Sequence, residues 1–255
     1  MDPNEAYSNA AYIPGGDAYP ARWASEAAAV RAASPPQRIR YGDTPRQFVD
    51  LFRPEGAAKG LLCIVHGGYW MAFGPEDFSQ LAAGALRRGW AAALIGYDLC
   101  PDVRIAQITA QVAEGVAEAS EQVDGPVHLT GHSAGGHLVA RMGCADYALG
   151  VDRIVPISPL ADLAPLRATK MNDVLGIDAL EALEESPASW DAPECEVEVW
   201  VGADERPAFL DQARLLGAAW GCPVTEEPGR HHFDVIEGLG DPDSALMAAV
   251  LGERA

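Results

Sequence analysis

Basic residues are scarce in this sequence. Only 18 Lys and Arg stand against 37 Asp and Glu, a formal net charge of −19 over 255 residues. A field of that sign repels phosphate backbones and anionic lipid surfaces, which argues against nucleic acid or a membrane as partner. Long apolar runs are missing too: none reaches the roughly 18 residues of a membrane span. The segment from Met1 to Tyr12 lacks the basic start and apolar stretch of a secretory signal. The expectation is a soluble, cytoplasmic protein, with room for a homodimer that the sequence does not specify.

Metal and cofactor signals are also lacking. The five cysteines, Cys63, Cys100, Cys144, Cys195 and Cys222, are odd in number and contain no Cys-x-x-Cys pair. Several lie in apolar runs, where a free thiol packs as a small hydrophobe. No His/Asp/Glu spacing suggests a metal site. No phosphate-binding or dinucleotide glycine loop follows a strand. Neither cofactor nor metal is expected, and no internal repeat or low-complexity linker divides the chain.

What is present is ordinary globular composition, 49% hydrophobic and 22% charged. That suits one α/β domain over residues 1–255. Residues 1–36 read as an aromatic arm, irregular and then briefly helical, packed on the surface or roofing a pocket. Short apolar runs predict strands at 47–52, 61–65, 91–95, 127–130, 154–157, 197–201 and 224–226. Helical spacing falls at 77–88, 105–123, 134–144, 207–220 and 244–251. Such alternation implies a mainly parallel sheet covered by helices on both faces. Residues 162–190 interrupt it and read as a cap insertion.

The chemistry centres on Gly131-His132-Ser133-Ala134-Gly135-Gly136-His137. The Gly-x-Ser-x-Gly core sits between a predicted strand and a predicted helix, the context of a strained turn that exposes a serine Oγ. A serine hydroxyl needs a base to become a nucleophile. Two later loops supply one: Gly202-Ala203-Asp204-Glu205 offers a carboxylate, and Gly229-Arg230-His231-His232-Phe233 an imidazole. His232, just before Phe233, is preferred to His231 as the base. Asp204 and Glu205 are both open as the acid that orients it. An oxyanion needs fixed donors; the N–H groups of Gly67, Gly68 and Ala134 are assigned to it. Glycines in His66-Gly67-Gly68-Tyr69-Trp70 let backbone approach the reacting carbonyl. His66 and His137 read as hydrogen-bonded structural histidines, and His132 as the variable position of the turn. Asp98 and Asp162 receive no chemical role.

These motifs resemble the kynurenine formamidase-like branch of the α/β-hydrolases, near the hormone-sensitive-lipase-type esterases. The carrying strings are His66-Gly67-Gly68-Tyr69-Trp70, the 131–138 turn, residues 202–212 with Glu205, Phe209 and Gln212, and His232-Phe233. Tyr41-Gly42 and Asp50-Leu51-Phe52 look similar to the family's opening strands, so the likeness spans about residues 38 to 252. It implies an α/β-hydrolase fold and the order serine, acid, histidine. It also implies Glu205 as the acid, three residues after the strand-end Gly202. The implied reaction is hydrolysis of a small carboxylic ester or aryl formamide through an acyl-enzyme. Tyr69, Trp70, Met71 and Phe73, with Tyr19 and Trp23 of the arm, are expected to wall the substrate pocket. A thioesterase, a peptidase-like hydrolase, or a non-catalytic small-ligand receptor on the same fold are the competing readings. A dedicated lipase is disfavoured, since no large amphipathic lid is evident.

Overall fold

A computed structural model describes residues 2–147 and 149–253, so the ends of the expected 1–255 domain and Ala148 lie outside the described residues. The strands are β1 (Gln37–Arg40), β2 (Phe48–Phe52), β3 (Leu61–Val65), β4 (Ala91–Ile95), β5 (Val127–His132), β6 (Arg153–Ile157), β7 (Glu196–Val197), β8 (Val199–Gly202) and β9 (Val224–Glu227). They form one open sheet in the order β1-β2-β4-β3-β5-β6-β8-β9, with β7 beside β6. Pairing is antiparallel for β1–β2 and β2–β4, and parallel from β4 onward.

The helices are α1 (Pro3–Ala6), α2 (Tyr19–Ala33), α3 (Ala82–Arg87), α4 (Ile105–Ser120), α5 (Ala134–Met142), α6 (Asn172–Leu175), α7 (Ala179–Glu184), α8 (Pro207–Trp220) and α9 (Ala245–Leu251). Side chains of a strand alternate between faces. Leu61, Cys63 and Val65 of β3 accordingly meet α4 and α5, whereas Leu62 and Ile64 join a second core with residues of α2, α3 and α9. Both faces of β3 and β4 are buried, which explains their continuous apolar runs.

Three local expectations are corrected. The arm's helix is α2, 15 residues rather than a brief one. Its Arg31 reaches Asp50, a fully buried carboxylate of β2 also held twice by Arg38. Residues 77–88 are helical only from Ala82. Before that, Asp77 accepts from the Gly74 N–H and closes a tight turn, leaving two short 3₁₀ turns. Edge strand β1 was not read, because Gln-Arg-Ile-Arg is too exposed to show an alternating apolar face. Residues 162–190 hold α6, α7 and two 3₁₀ turns. No helix of the described residues is long and apolar enough to cross a membrane.

Candidate active site

The turn between β5 and α5 puts Ser133 at φ 56° and ψ −114°, a strained backbone for a residue with a side chain. Its N–H donates to Ile157 O at 2.8 Å, which ties the turn to β6. The flanking glycines are required by space. A Cβ at Gly135 would lie 2.1 Å from Val65 O, and one at Gly131 would lie 2.3 Å from Gly135 O. Gly67 packs against the turn, where a Cβ would meet His132 O at 2.9 Å.

The His66-Gly67-Gly68 loop leaves β3 beside this turn. His66 Nδ1 lies 2.8 Å from Gly67 O, so the ring nitrogen carries the proton and donates. Burial pushes the His66 pKa down to about 3, so the ring is neutral. Across a trans peptide the next N–H points away from the carbonyl, so Gly68 N–H faces away from His66. Gly68 O accepts from Met71 N and Ala72 N, which turns the Tyr69 N–H outward in the same way. Ala134 is the first residue of α5, and its N–H is one of the donors a helix leaves unpaired. Tyr69 N–H is a fourth candidate donor that the sequence reading missed, since no glycine marks it.

Glu205 follows β8 and is buried. Its carboxylate accepts from Gly202 N at 2.9 Å, Ser158 Oγ at 2.5 Å and His232 Nδ1 at 2.6 Å. With Nδ1–H given to Glu205, the other imidazole nitrogen is free to accept a proton. The neighbouring Asp204 is exposed. His231 is engaged elsewhere: its Nε2 lies 3.2 Å from Tyr19 Oη, and its Nδ1 faces the N–H groups of Phe233 and Asp234. Phe209 packs on the His232 ring at 4.2 Å between centroids. Ser158 was also missed. Its signal was its place, one residue past a parallel strand at the carboxyl edge of the sheet, where sites of this fold class collect.

Ser133 and His232 line one cavity of about 500 Å³, together with Gly67 and Gly68. That is within the ordinary size of a small-molecule site. Tyr69, Met71 and Phe73 line it as expected residues, and Trp23 with Phe78 and Phe233 complete an aromatic wall. Trp70 is not in the lining and needs correcting. Its ring is fully buried under the loop, edge-on to His137. Tyr19 is likewise outside the lining, packed against Trp23, His231 and Phe233. The first ten residues and the 162–190 segment also reach the cavity, through Asn4, Tyr7, Asn9, Lys170 and Met171.

The other buried histidines and the cysteines stay uncharged. His137 Nε2–H donates to Glu185 O at 2.6 Å, and burial lowers its pKa to about 3. His132 is driven well below the usual histidine range, first by burial and then by His232. Burial lifts Cys63 to about 12 and Cys100 and Cys144 to about 11, so these thiols stay protonated. Among the described residues, no three of His, Cys, Asp and Glu are placed to share a metal ion. A serine and an imidazole at one cavity, with a buried carboxylate behind the imidazole, can together run nucleophilic acyl transfer.

No protein-family model matches the chain. It is 28% identical to kynurenine formamidase of Salmo salar over 236 residues, covering 84% of this chain and 80% of that one. A crystal structure from Silicibacter sp. tm1040, whose thioesterase assignment is itself a proposal, matches with TM-score 0.96. It is 47% identical and covers 98% of this chain and 99% of its own. Esterase 2 of Thermogutta terrifontis, in a propionate-bound structure, shares the fold at TM-score 0.68 and 17% identity, covering 86% and 92% of the two chains.

Proposed function

From the premise that this chain belongs to the α/β-hydrolase superfamily and is a hydrolase of ester or formamide type, we propose a serine mechanism acting on small carboxylic esters or aryl formamides. Ser133 Oγ attacks the carbonyl carbon while His232 Nε2 takes its proton. Glu205 holds the imidazole in the productive tautomer and stabilises the imidazolium. The amides of Gly67, Gly68 and Ala134, joined by that of Tyr69, stabilise the oxyanion. His232 then returns the proton to the leaving alcohol or amine as the C–O or C–N bond breaks. Water, deprotonated by the same imidazole, attacks the acyl-enzyme carbonyl, and His232 passes that proton to Ser133 Oγ as the acyl–oxygen bond breaks and the acid leaves.

The observation carrying this reading is the 2.6 Å bond from His232 to buried Glu205, with His232 and Ser133 lining the same cavity. The kynurenine formamidase relatives favour an aryl formamide as substrate. Ser133→Ala should lower kcat/KM on p-nitrophenyl acetate by about 10⁴-fold or more while leaving the thermal unfolding transition in place. Retained turnover in that variant, or a fluorophosphonate adduct on another residue, overturns the mechanism.

A thioester is the second acyl donor to test, because the 47% identical Silicibacter protein carries a thioesterase proposal. Comparing kcat/KM for N-formylkynurenine, a short p-nitrophenyl ester and an acyl thioester ranks the three.

A further inference from the structure

Charge is distributed unevenly between the cavity and the rest of the molecule. Acidic residues outnumber basic ones by 37 to 18 over the whole sequence. Yet the cavity lining contains no Asp or Glu, and Lys170 is its one formal cation. That lysine sits in the segment between β6 and β7; its backbone N–H donates to Asn4 Oδ1 at 2.7 Å, which ties its main chain to the arm, and the residue itself is exposed at the cavity mouth. Among the described residues its ammonium has no carboxylate within ion-pair distance. Asp2 feels its charge, but Asp2 is already engaged by the amide and side chain of Asn4.

A second polar group in the lining also lacks a partner. Asn9 is 7% exposed, and its buried Oδ1 accepts no hydrogen bond. A buried acceptor left empty costs free energy unless something fills it. Asn9 of the arm and Lys170 of the cap segment therefore bring polar groups to the same cavity, while Trp23, Phe73, Phe78 and Phe233 bring aromatic rings. Two-part lining of this kind orients a ligand with an apolar body and a polar tail.

We propose that the physiological substrate is an anion: an ester or formamide whose carboxylate or phosphate group binds at Lys170, with a neighbouring N–H or O–H donated to Asn9 Oδ1. This rests on the hydrolase reading above and names the substrate class of the same site. Lys170 supplies attraction that the rest of this acidic molecule opposes, so it selects among substrates rather than performing chemistry.

Matched pairs of probes test it. 4-Acetoxybenzoate against phenyl acetate places the carboxylate on the leaving group. The p-nitrophenyl monoester of glutaric acid against p-nitrophenyl pentanoate places it on the acyl chain. The readout is the ratio of kcat/KM, anionic over neutral, which cancels any general loss of folded enzyme. In at least one pair, Lys170→Glu should lower that ratio by about tenfold and Lys170→Met by about threefold, with Lys170→Arg retaining it. Asn9→Asp should lower it by about threefold, and 0.5 M salt should compress it in the wild type by screening. A ratio unchanged by Lys170→Glu in both pairs overturns the inference while leaving the hydrolase reading standing. Failure to turn over any of the four esters, anionic or neutral, sinks the hydrolase reading, and the inference with it.

Discussion

The floor of the cavity and its roof are held by different parts of the chain. At the floor, the His66-Gly67-Gly68 loop and Ser133 follow the adjacent parallel strands β3 and β5, Glu205 follows β8 on the far side of β6, and main chain fixes them. Ser133 N–H binds Ile157 O, Gly202 N binds the Glu205 carboxylate, and Gly135 leaves no space for a Cβ beside Val65. The roof hangs on side chains. Gln212 of α8 accepts from Ala161 N and Asp162 N and donates to Asp162 O and Tyr7 Oη. Tyr69 Oη donates to Tyr7 O, and Arg206 donates to Glu5 O. Under the proposed function, that difference separates chemistry from selection: the groups assigned to the reaction rest on backbone, and the surface assigned to sorting substrates rests on connections that single substitutions can cut.

Gln212 is the place to break that division. All four of its hydrogen bonds cross between α8 and the roof, and it is buried. Gln212→Ala leaves the buried Ala161 N–H and the half-buried Asp162 N–H without acceptors, so unfolding free energy should fall by about 2 kcal/mol or more. KM should rise more than kcat falls, because the arm loses its seat while the floor keeps its geometry. Urea denaturation and ester kinetics measure both. A kcat collapse with KM unchanged would mean that floor and roof are one unit.

The same division explains what the sequence could reveal. Floor residues stand in short strings because close backbone approach demands glycine at fixed offsets from Ser133 and His66. The strands beneath them, 61–65 and 91–95, match residue for residue, since burial on both faces makes the whole run apolar. The roof left no such trace. Asn9 and Lys170 are ordinary polar residues whose meaning comes from where the fold carries them, and Ser158, in the floor, is the same kind of case. Trp70 went wrong for a related reason. Its place in the loop string suggested the pocket, but the chain takes φ 51° at Tyr69 and 57° at Trp70, and the indole ends in the core. The choice between Glu205 and Asp204 likewise turns on which carboxylate faces inward: Glu205 is buried on Ser158 and Gly202 N, whereas Asp204 is exposed, an arrangement that composition does not foretell.

Acid should weaken the floor by a route the roof does not share. His137 is buried and its pKa is lowered from 6.5 to about 3, so the folded protein keeps it neutral where the unfolded chain takes up a proton. A lowered folded value for a base means that stability is complete above about pH 6.5 and is lost as pH falls toward 3. From pH 7 to pH 5 the loss is about 2 kcal/mol for such a histidine. His137→Gln removes that proton uptake. The stability advantage of the wild type over this variant should therefore shrink by about 2 kcal/mol across the same interval. An advantage that stays constant would show that His137 titrates alike in both states.

The smallest expected effect lies inside the floor itself. Ser158 reaches no substrate surface; it donates to Glu205 Oε1 and so acts through the carboxylate that orients His232. Removing that one donor leaves Glu205 with Gly202 N and His232, enough to stay near its place but with more freedom to rotate. Ser158→Ala should lower kcat about tenfold, roughly 1.4 kcal/mol of barrier, with KM little changed. A merely structural serine would predict the same loss in any background. A positioning serine would not: once Glu205→Gln has removed the carboxylate, Ser158→Ala should cost little further, because groups acting through one another are not additive. Independent, multiplying losses in the double variant would detach Ser158 from the triad. A shared loss would make it the part of the floor where a side chain, not the main chain, holds the geometry.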